Sequence, residues 1–320
     1  MLTNLLGLLV LLALTFLFAW LASRAWRKGH GLVRWGGGIL ASLFTLVFVV
    51  LIVVFGRGLY LLYTPHSVLP FTADIANTPE QVARGEHLAA SVCAPCHSLT
   101  GELPLSGGNN LAADTGLPLG DLYPPNLTPA GPVKDLSDAD IWRIFRQGVF
   151  PNGRQALMPV THLKNLSDAD LQAVIAYVRS QSAVAYVNPP VNPSPLMVLF
   201  VGAGLFNVAI TPVTGVVSAP PEGATTDYGA YIVSYNDCTE CHGKNLDGHP
   251  TGPTPAGPNL RVVKGWTAEQ FIQTIRTGVD PTGHQLQPPM PWKSYAKMDD
   301  VELTTVYLYL QSLPPLASQK

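Results

Sequence analysis

Charge is scarce in this chain. Only 12% of its 320 residues are Asp, Glu, Lys or Arg, and no acidic residue precedes Asp74. A disordered chain needs the opposite, low hydrophobicity with high charge. A formal net charge of −2 supplies no basic footprint, so no nucleic-acid partner is expected. Cysteine is scarce too, and four residues are too few for a disulfide scaffold. No Ser/His/Asp arrangement, phosphate-cradling glycine loop or nucleotide fingerprint is present. Gly107-Gly108 is a turn signal, because no strand–helix frame surrounds it.

What the chain has is apolar length at its start. Residues 2–22 are almost wholly apolar, enough to cross a bilayer as a helix. A second run covers residues 35–56, followed by Arg57, Tyr60 and Tyr63, and Tyr favours the membrane–water boundary. Arg24, Arg27, Lys28 and Arg34 lie between the runs. The positive-inside rule puts that loop in the cytoplasm and everything after residue 64 outside. The opening Met-Leu-Thr-Asn carries no positive charge and no small-x-small cleavage site follows, so a retained helix is expected rather than a signal peptide. The expectation is a hairpin anchor (1–64) in the lipid bilayer of the cytoplasmic membrane, with the rest on the periplasmic side.

The cysteines fall as Cys93-Ala-Pro-Cys96-His97 and Cys238-Thr-Glu-Cys241-His242. This spacing reads as c-type haem attachment. Two thiols on one turn add to the two vinyl groups of one haem, and the next residue, His, sits under the iron. A zinc site would need paired half-sites, and these motifs lie 145 residues apart. A redox dithiol has no need of the following His. Two covalently bound haem c groups are therefore expected, with His97 and His242 as iron ligands.

The motifs head two copies of one plan. Arg84-Gly85-Glu86 leads into the first and Tyr228-Gly229-Ala230 into the second. Pro125-Asn126-Leu127 and Pro258-Asn259-Leu260 follow, then helices starting at Ser137 and Thr267 and stopping at Gly148 and Gly278. Met158-Pro159 and Met290-Pro291 come next. Each copy closes with a capped amphipathic helix, Asp168–Ser180 after Ser167 and Asp300–Ser312 after Asp299. The first copy has a longer loop, residues 101–121, between its His and its Pro-Asn.

An N-terminal helix, C-x-x-C-H, a Pro-Asn-Leu loop, a Met-Pro loop and a C-terminal helix resemble class I cytochrome c, twice over. The implied fold is all-α: a two-helix transmembrane hairpin, a cytochrome c domain at 79–182, a Pro-rich linker at 183–225 and a second cytochrome c domain at 226–315. Arg84-Gly85-Glu86, Pro125-Asn126-Leu127-Thr128-Pro129 and Leu136-Ser137-Asp138-Ala139-Asp140 are similar to the cytochrome subunits of membrane alcohol and sugar-acid dehydrogenases. The layout is similar to the dihaem subunit of cbb3-type oxidases.

The resemblance implies a Met opposite each His. Met158 is the first candidate, with His162 as rival; Met290 is the second, with Met298 as rival and hydrophobic staple by position. Met/His ligation suits an electron carrier. Arg146, Arg154, Trp142 and Trp292 are candidate propionate or pocket residues. His249 and His284 read as loop residues or propionate neighbours, and His87 as a surface residue. The apolar segment 196–213 within the linker lies against the membrane, a haem domain or a partner, or is a buried linker helix.

Doubly ligated irons leave no open site, so the function expected is single-electron transfer within a respiratory or photosynthetic complex. The partners expected are a membrane redox complex (oxidase, dehydrogenase or quinol-oxidising complex) or a soluble electron carrier. The alternative is a haem enzyme, a peroxidase or reductase with one open iron.

Overall fold

A computed structural model describes residues 2–67, 69, 75–157, 161–206, 208, 211–236, 238–248, 257–288 and 290–315. These residues build a set of helices joined by loops and a two-residue ribbon. The apolar runs form α1 (Leu2–Lys28) and α2 (Gly38–Tyr63), an antiparallel pair. Both are long and apolar enough to cross a membrane. Each extends past its apolar run at its C-terminal end, α1 through Arg24, Arg27 and Lys28 and α2 through Arg57 to Tyr63. A π-helical turn, Val33–Gly37, leads into α2. Gly38 then brings the helices together, since a Cβ there would lie 2.8 Å from the Trp26 ring.

In the first repeat, α3 (Pro79–Leu88) runs through a π turn (Ala89–Cys93) into the short α4 (Ala94–His97). α5 (Asp138–Gln147) and α6 (Asp168–Ser180) follow. Ser137 and Asp140 form a complete capping box despite the short Asp at N3, and Gly148 stops α5 at φ 69°. After the linker helix α7 (Pro195–Ala203), the second repeat gives α8 (Thr226–Tyr235), α9 (Cys238–His242), α10 (Ala268–Thr277), α11 (Trp292–Tyr295) and α12 (Asp300–Ser312). Capping boxes open α10 and α12, as their sequences predict.

Within each repeat the first and last helices cross at a glycine. A Cβ on Gly85 would lie 1.9 Å from the Ala173 carbonyl oxygen, and one on Gly229 would lie 2.1 Å from that of Thr305. The crossings carry one shared core: Leu88, Leu171, Val174 and Ile175 from the first repeat, Ile232, Leu303 and Leu310 from the second. Met298, just before the Asp299 cap, is buried in it, as a staple residue should be.

The longer loop of the first repeat has a structural use. Its β1 (Gly120–Asp121) pairs antiparallel with β2 (Asn192–Pro193) of the linker. A second core then joins Ala112 and Leu119 of that loop, with Leu122 just after it, to Phe55 and Leu62 of α2 and to Met197, Val198 and Val201 of α7. The loop is thus a bracket between the first repeat and the hairpin.

Candidate functional site

The two C-x-x-C-H turns are built alike. The His97 Nδ1 lies 2.9 Å from the Pro125 carbonyl oxygen, and the His242 Nδ1 lies 2.7 Å from that of Pro258. A carbonyl only accepts, so each Nδ1 carries the proton and each Nε2 keeps its lone pair. Burial pushes both imidazoles below their ordinary value, against the opposing hydrogen bond, so both are neutral at pH 7. Burial also pushes the Cys93 thiol up to about 12. A neutral His with a committed Nδ1, one residue after a pair of thiols one turn apart, fits covalent attachment of haem and ligation of its iron.

The supporting backbone is doubled too. Gly107 N donates to the His97 carbonyl, and Gly248 N donates to that of His242. Leu127 N reaches Leu105 O, and Leu260 N reaches Leu246 O. A Cβ on Gly108 would lie 1.7 Å from the Cys96 carbonyl oxygen, and one on Gly257 would lie 2.7 Å from that of Cys241. These glycines let the Pro-Asn loop reach under the motif. The motifs themselves announce the Cys and His; the glycines and proline carbonyls carry no signal apart from their position in the repeat.

Met290 is half-buried and packs against the shared core. Met158 and His249 lie outside the described residues. His162 sits in a 3₁₀ turn, Thr161–Asn165, and His284 is exposed, its backbone N–H donating to Asp280.

The candidate propionate arginines have other partners. Arg146 is almost fully buried; it donates to Asp168 at 2.7 Å and to the Lys164 carbonyl, and lies over the Trp142 ring. Arg276 repeats this with Asp300 and the Ala296 carbonyl. Each ties the end of its helix to the start of the closing helix. Arg154 lies over the Tyr63 ring of α2 at 5.8 Å, linking the first repeat to the hairpin. Trp292 packs against the backbone at Gly278.

His87 is not a free surface residue. Its Nε2 lies 2.7 Å from Glu302, which also pairs with Arg84 at 3.3 Å. Arg84 in turn donates to Asp170 at 2.9 Å and to the Tyr228 hydroxyl at 3.2 Å. The Tyr231 hydroxyl donates to Asp170 at 2.5 Å. This half-buried network crosses between the repeats, with α3 and α6 on one side and α8 and α12 on the other. Burial opposes both charges, but Asp170 holds the Arg84 guanidinium above its ordinary value, and His87 and Arg84 hold the Glu302 carboxyl below its own. The bond to Glu302 raises His87 against its burial.

The turns that precede the two Met-Pro pairs differ in burial. In the first repeat Gln155 is buried and donates to Gly148 O and to Val208 O of the linker, while Val149 is 4% exposed. In the second, Gln285 is exposed and donates to Gly278 O, while Val279 is 38% exposed.

Paired helices crossing at glycine, a C-x-x-C-H turn and a His held by a proline carbonyl define a c-type haem protein, here in duplicate. Comparison with known proteins agrees. Residues 80–178 match the family of cytochrome c oxidase, cbb3-type, subunit III, and residues 227–314 match the cytochrome c family. The chain carries two cytochrome c domains in tandem, and such domains bind haem c covalently. Among curated proteins it is 35% identical over 239 residues to a nicotinate dehydrogenase subunit of Pseudomonas putida, covering 67% of this chain and 19% of that protein. It is 32% identical over 178 residues to the gluconate 2-dehydrogenase cytochrome c subunit of Pantoea cypripedii, covering 53% and 40%. It is 27% identical over 100 residues to the fructose dehydrogenase cytochrome subunit of Gluconobacter japonicus, covering 26% and 20%. The chain thus spans less than half the length of each of these relatives.

Proposed function

We propose that this protein is a membrane-anchored dihaem cytochrome c that takes single electrons from a membrane dehydrogenase on the periplasmic face and passes them on along a respiratory chain. The doubled His–proline carbonyl site beside each C-x-x-C-H turn carries this reading. Cys93, Cys96 and His97 hold one haem; Cys238, Cys241 and His242 hold the other. Met158 and Met290 complete the ligand sets, and α1 and α2 are the anchor.

Bound there by His and Met, haem c would supply one-electron chemistry between ferric and ferrous iron with no site for substrate. The protein's part is to keep the reorganisation in that cycle small. The carbonyls of Pro125 and Pro258 orient the imidazoles and raise their basicity. The buried core excludes water. The network around Arg84 fixes the two domains relative to each other, so the distance for transfer between them is set by the fold. The first domain, bracketed to the hairpin, is the membrane-proximal station. The second, with Val279 and Gln285 exposed, is the solution-facing one.

The relatives named as subunits of nicotinate, gluconate and fructose dehydrogenases support a dehydrogenase as donor. The test is a native gel of mildly solubilised membranes, stained for haem, with haem quantified per chain. Co-migration with a dehydrogenase at two haems per chain is expected. Migration with an oxidase alone, or one haem per chain, overturns the reading.

Ligation by Met290 has its own check. Met290→Ala should abolish the near-infrared Met-to-iron band of one oxidised haem and allow carbon monoxide to bind that haem when reduced. Met298→Ala should leave both signatures in place. The reverse pattern would move the ligand to Met298, and fast carbon monoxide binding to the unaltered protein would favour the enzyme alternative.

A further inference from the structure

From Ser180 to Pro221 the chain runs 42 residues without an Asp, Glu, Lys or Arg. The centre of this stretch is α7, whose sequence Pro-Leu-Met-Val-Leu-Phe-Val-Gly-Ala is apolar throughout. It lies antiparallel along the outer end of α2, and two glycines make the contact. A Cβ on Gly58 would lie 2.0 Å from the Val198 carbonyl oxygen, and one on Gly202 would lie 1.9 Å from that of Val54. Close backbone approach through small residues is how helices pack in lipid, where no hydrophobic drive separates helix from solvent.

Most end groups of α7 have partners within the protein. Ser194 caps the N-terminus by accepting from Met197 N, and its hydroxyl donates to Pro118 O. Asn4 of α1 donates to Pro193 O at 3.1 Å. At the C-terminus, Gly204 turns at φ 76° and its N–H reaches Val201 O; Leu205 N and Phe206 N reach Phe200 O. The Gly202 carbonyl accepts from the Arg57 guanidinium. Helix ends in contact with hydrocarbon need such internal partners, whereas ends in water do not.

The depth of α7 follows from the hairpin. About 20 helical residues cross the hydrocarbon core. Counting up α2 from its inner end at Gly38 puts the outer boundary near Arg57 and Gly58, the level at which α7 docks. The outward side of this element is apolar: Leu205 is 52% exposed, and Leu196, Leu199 and Phe200 are half-buried. The hairpin beside it is likewise apolar and exposed, with Leu46 60% and Val53 66% exposed.

We propose that α7 and the turn through Leu205 and Phe206 are a third membrane element, seated in the outer leaflet beside α2, with lipid as the occupant of its exposed face. It rests on the hairpin reading above. Its consequence is to hold the first cytochrome domain at the bilayer surface, since Val198 and Leu157 share one core and Gln155 bonds the Val208 carbonyl.

Since haem attachment consumes all four cysteines, an introduced one is the sole free thiol of the holoprotein. Leu205→Cys, Leu46→Cys and Val262→Cys are each spin-labelled in phosphatidylethanolamine–phosphatidylglycerol nanodiscs. Collision with oxygen and with a water-soluble nickel chelate is then read by EPR. Labels at 205 and 46 should collide several-fold more with oxygen than with the chelate, and the label at 262, 56% exposed on the second domain, should do the opposite. A chelate-accessible label at 205 beside a lipid-exposed label at 46 overturns the proposal and leaves the hairpin standing. A label at 205 shielded from both reagents puts protein over this face and overturns it too. A chelate-accessible label at 46 removes the hairpin reading, and the proposal with it.

Discussion

Arg84→Met is expected to destabilise the folded chain by about 3 kcal/mol, seen as a lowered midpoint of chemical denaturation. Removing one partner from a buried ionic cluster costs roughly 3–5 kcal/mol, because the charges left behind stay desolvated. Here the remaining carboxylates belong to Glu302, 2% exposed, and Asp170, 10% exposed. The lower end of the range applies for two reasons. The Arg84 side chain is itself 25% exposed, which screens part of its interaction. His87 still meets Glu302, and the Tyr231 hydroxyl still meets Asp170. The triple change Arg84→Met, Asp170→Leu, Glu302→Met should recover most of the loss, since an apolar replacement of a whole buried cluster is often neutral or stabilising. If the single change costs nothing, the network does not couple the domains. If the triple is no better than the single, shape rather than charge is at stake.

The same cluster sets a pH window. Glu302 is held below its ordinary 4.5, so its stabilisation is complete above pH 4.5 and is lost as pH falls through its lowered value. His87 is raised above its ordinary 6.5, so its stabilisation is complete below pH 6.5 and is lost as pH rises through the raised value. Both contributions are whole between pH 4.5 and 6.5. Denaturation midpoints should therefore fall on the alkaline side of 6.5, and His87→Gln should remove that limb and also shrink the acid limb, since His87 helps to hold Glu302 low.

Much of this site is legible in sequence because it is local. Cys93, Cys96 and His97 lie within one turn, and Ser137 reads Asp140 three residues on. Repetition does the rest, aligning Pro125 with Pro258 and Gly85 with Gly229. What stays hidden is long-range. Arg84 meets Asp170 86 residues away and Glu302 218 residues away, and no local pattern marks those pairs. The pairing of Arg146 with Asp168, at the start of the next helix, is hidden for a related reason, since the two lie 22 residues apart. The surplus loop at 101–121 shows in sequence only as extra length. Its pairing with Asn192–Pro193 depends on how the linker returns to the hairpin. His87 reads as surface because its own helix α3 offers it no partner; Glu302 arrives from the other domain.

Gly85→Ala and Gly229→Ala are each expected to lower the stability of the protein and its covalent haem content. Alanine in place of glycine inside a helix normally gains about 1 kcal/mol. At these crossings the new Cβ would meet a carbonyl oxygen at 1.9 Å or 2.1 Å, where nothing closer than 3.0 Å is tolerated. The helices must part by about 1 Å, because backbone has no rotamer with which to yield. Overpacking of this kind costs roughly 1–3 kcal/mol, and an immovable neighbour puts it at the upper end. The clash therefore wins by about 2 kcal/mol. The two variants should not behave alike. Displacing α3 at Gly85 moves the adjacent Arg84, which spans to Glu302, so Gly85→Ala should loosen both domains and sharpen proteolysis in the linker. Displacing α8 at Gly229 moves Tyr228, a lesser member of the network, so its loss should concentrate in the second domain. Equal haem loss from both domains in both variants would mean that the domains fold as one unit, and that the crossing glycines, rather than the Arg84 network, set its cooperativity.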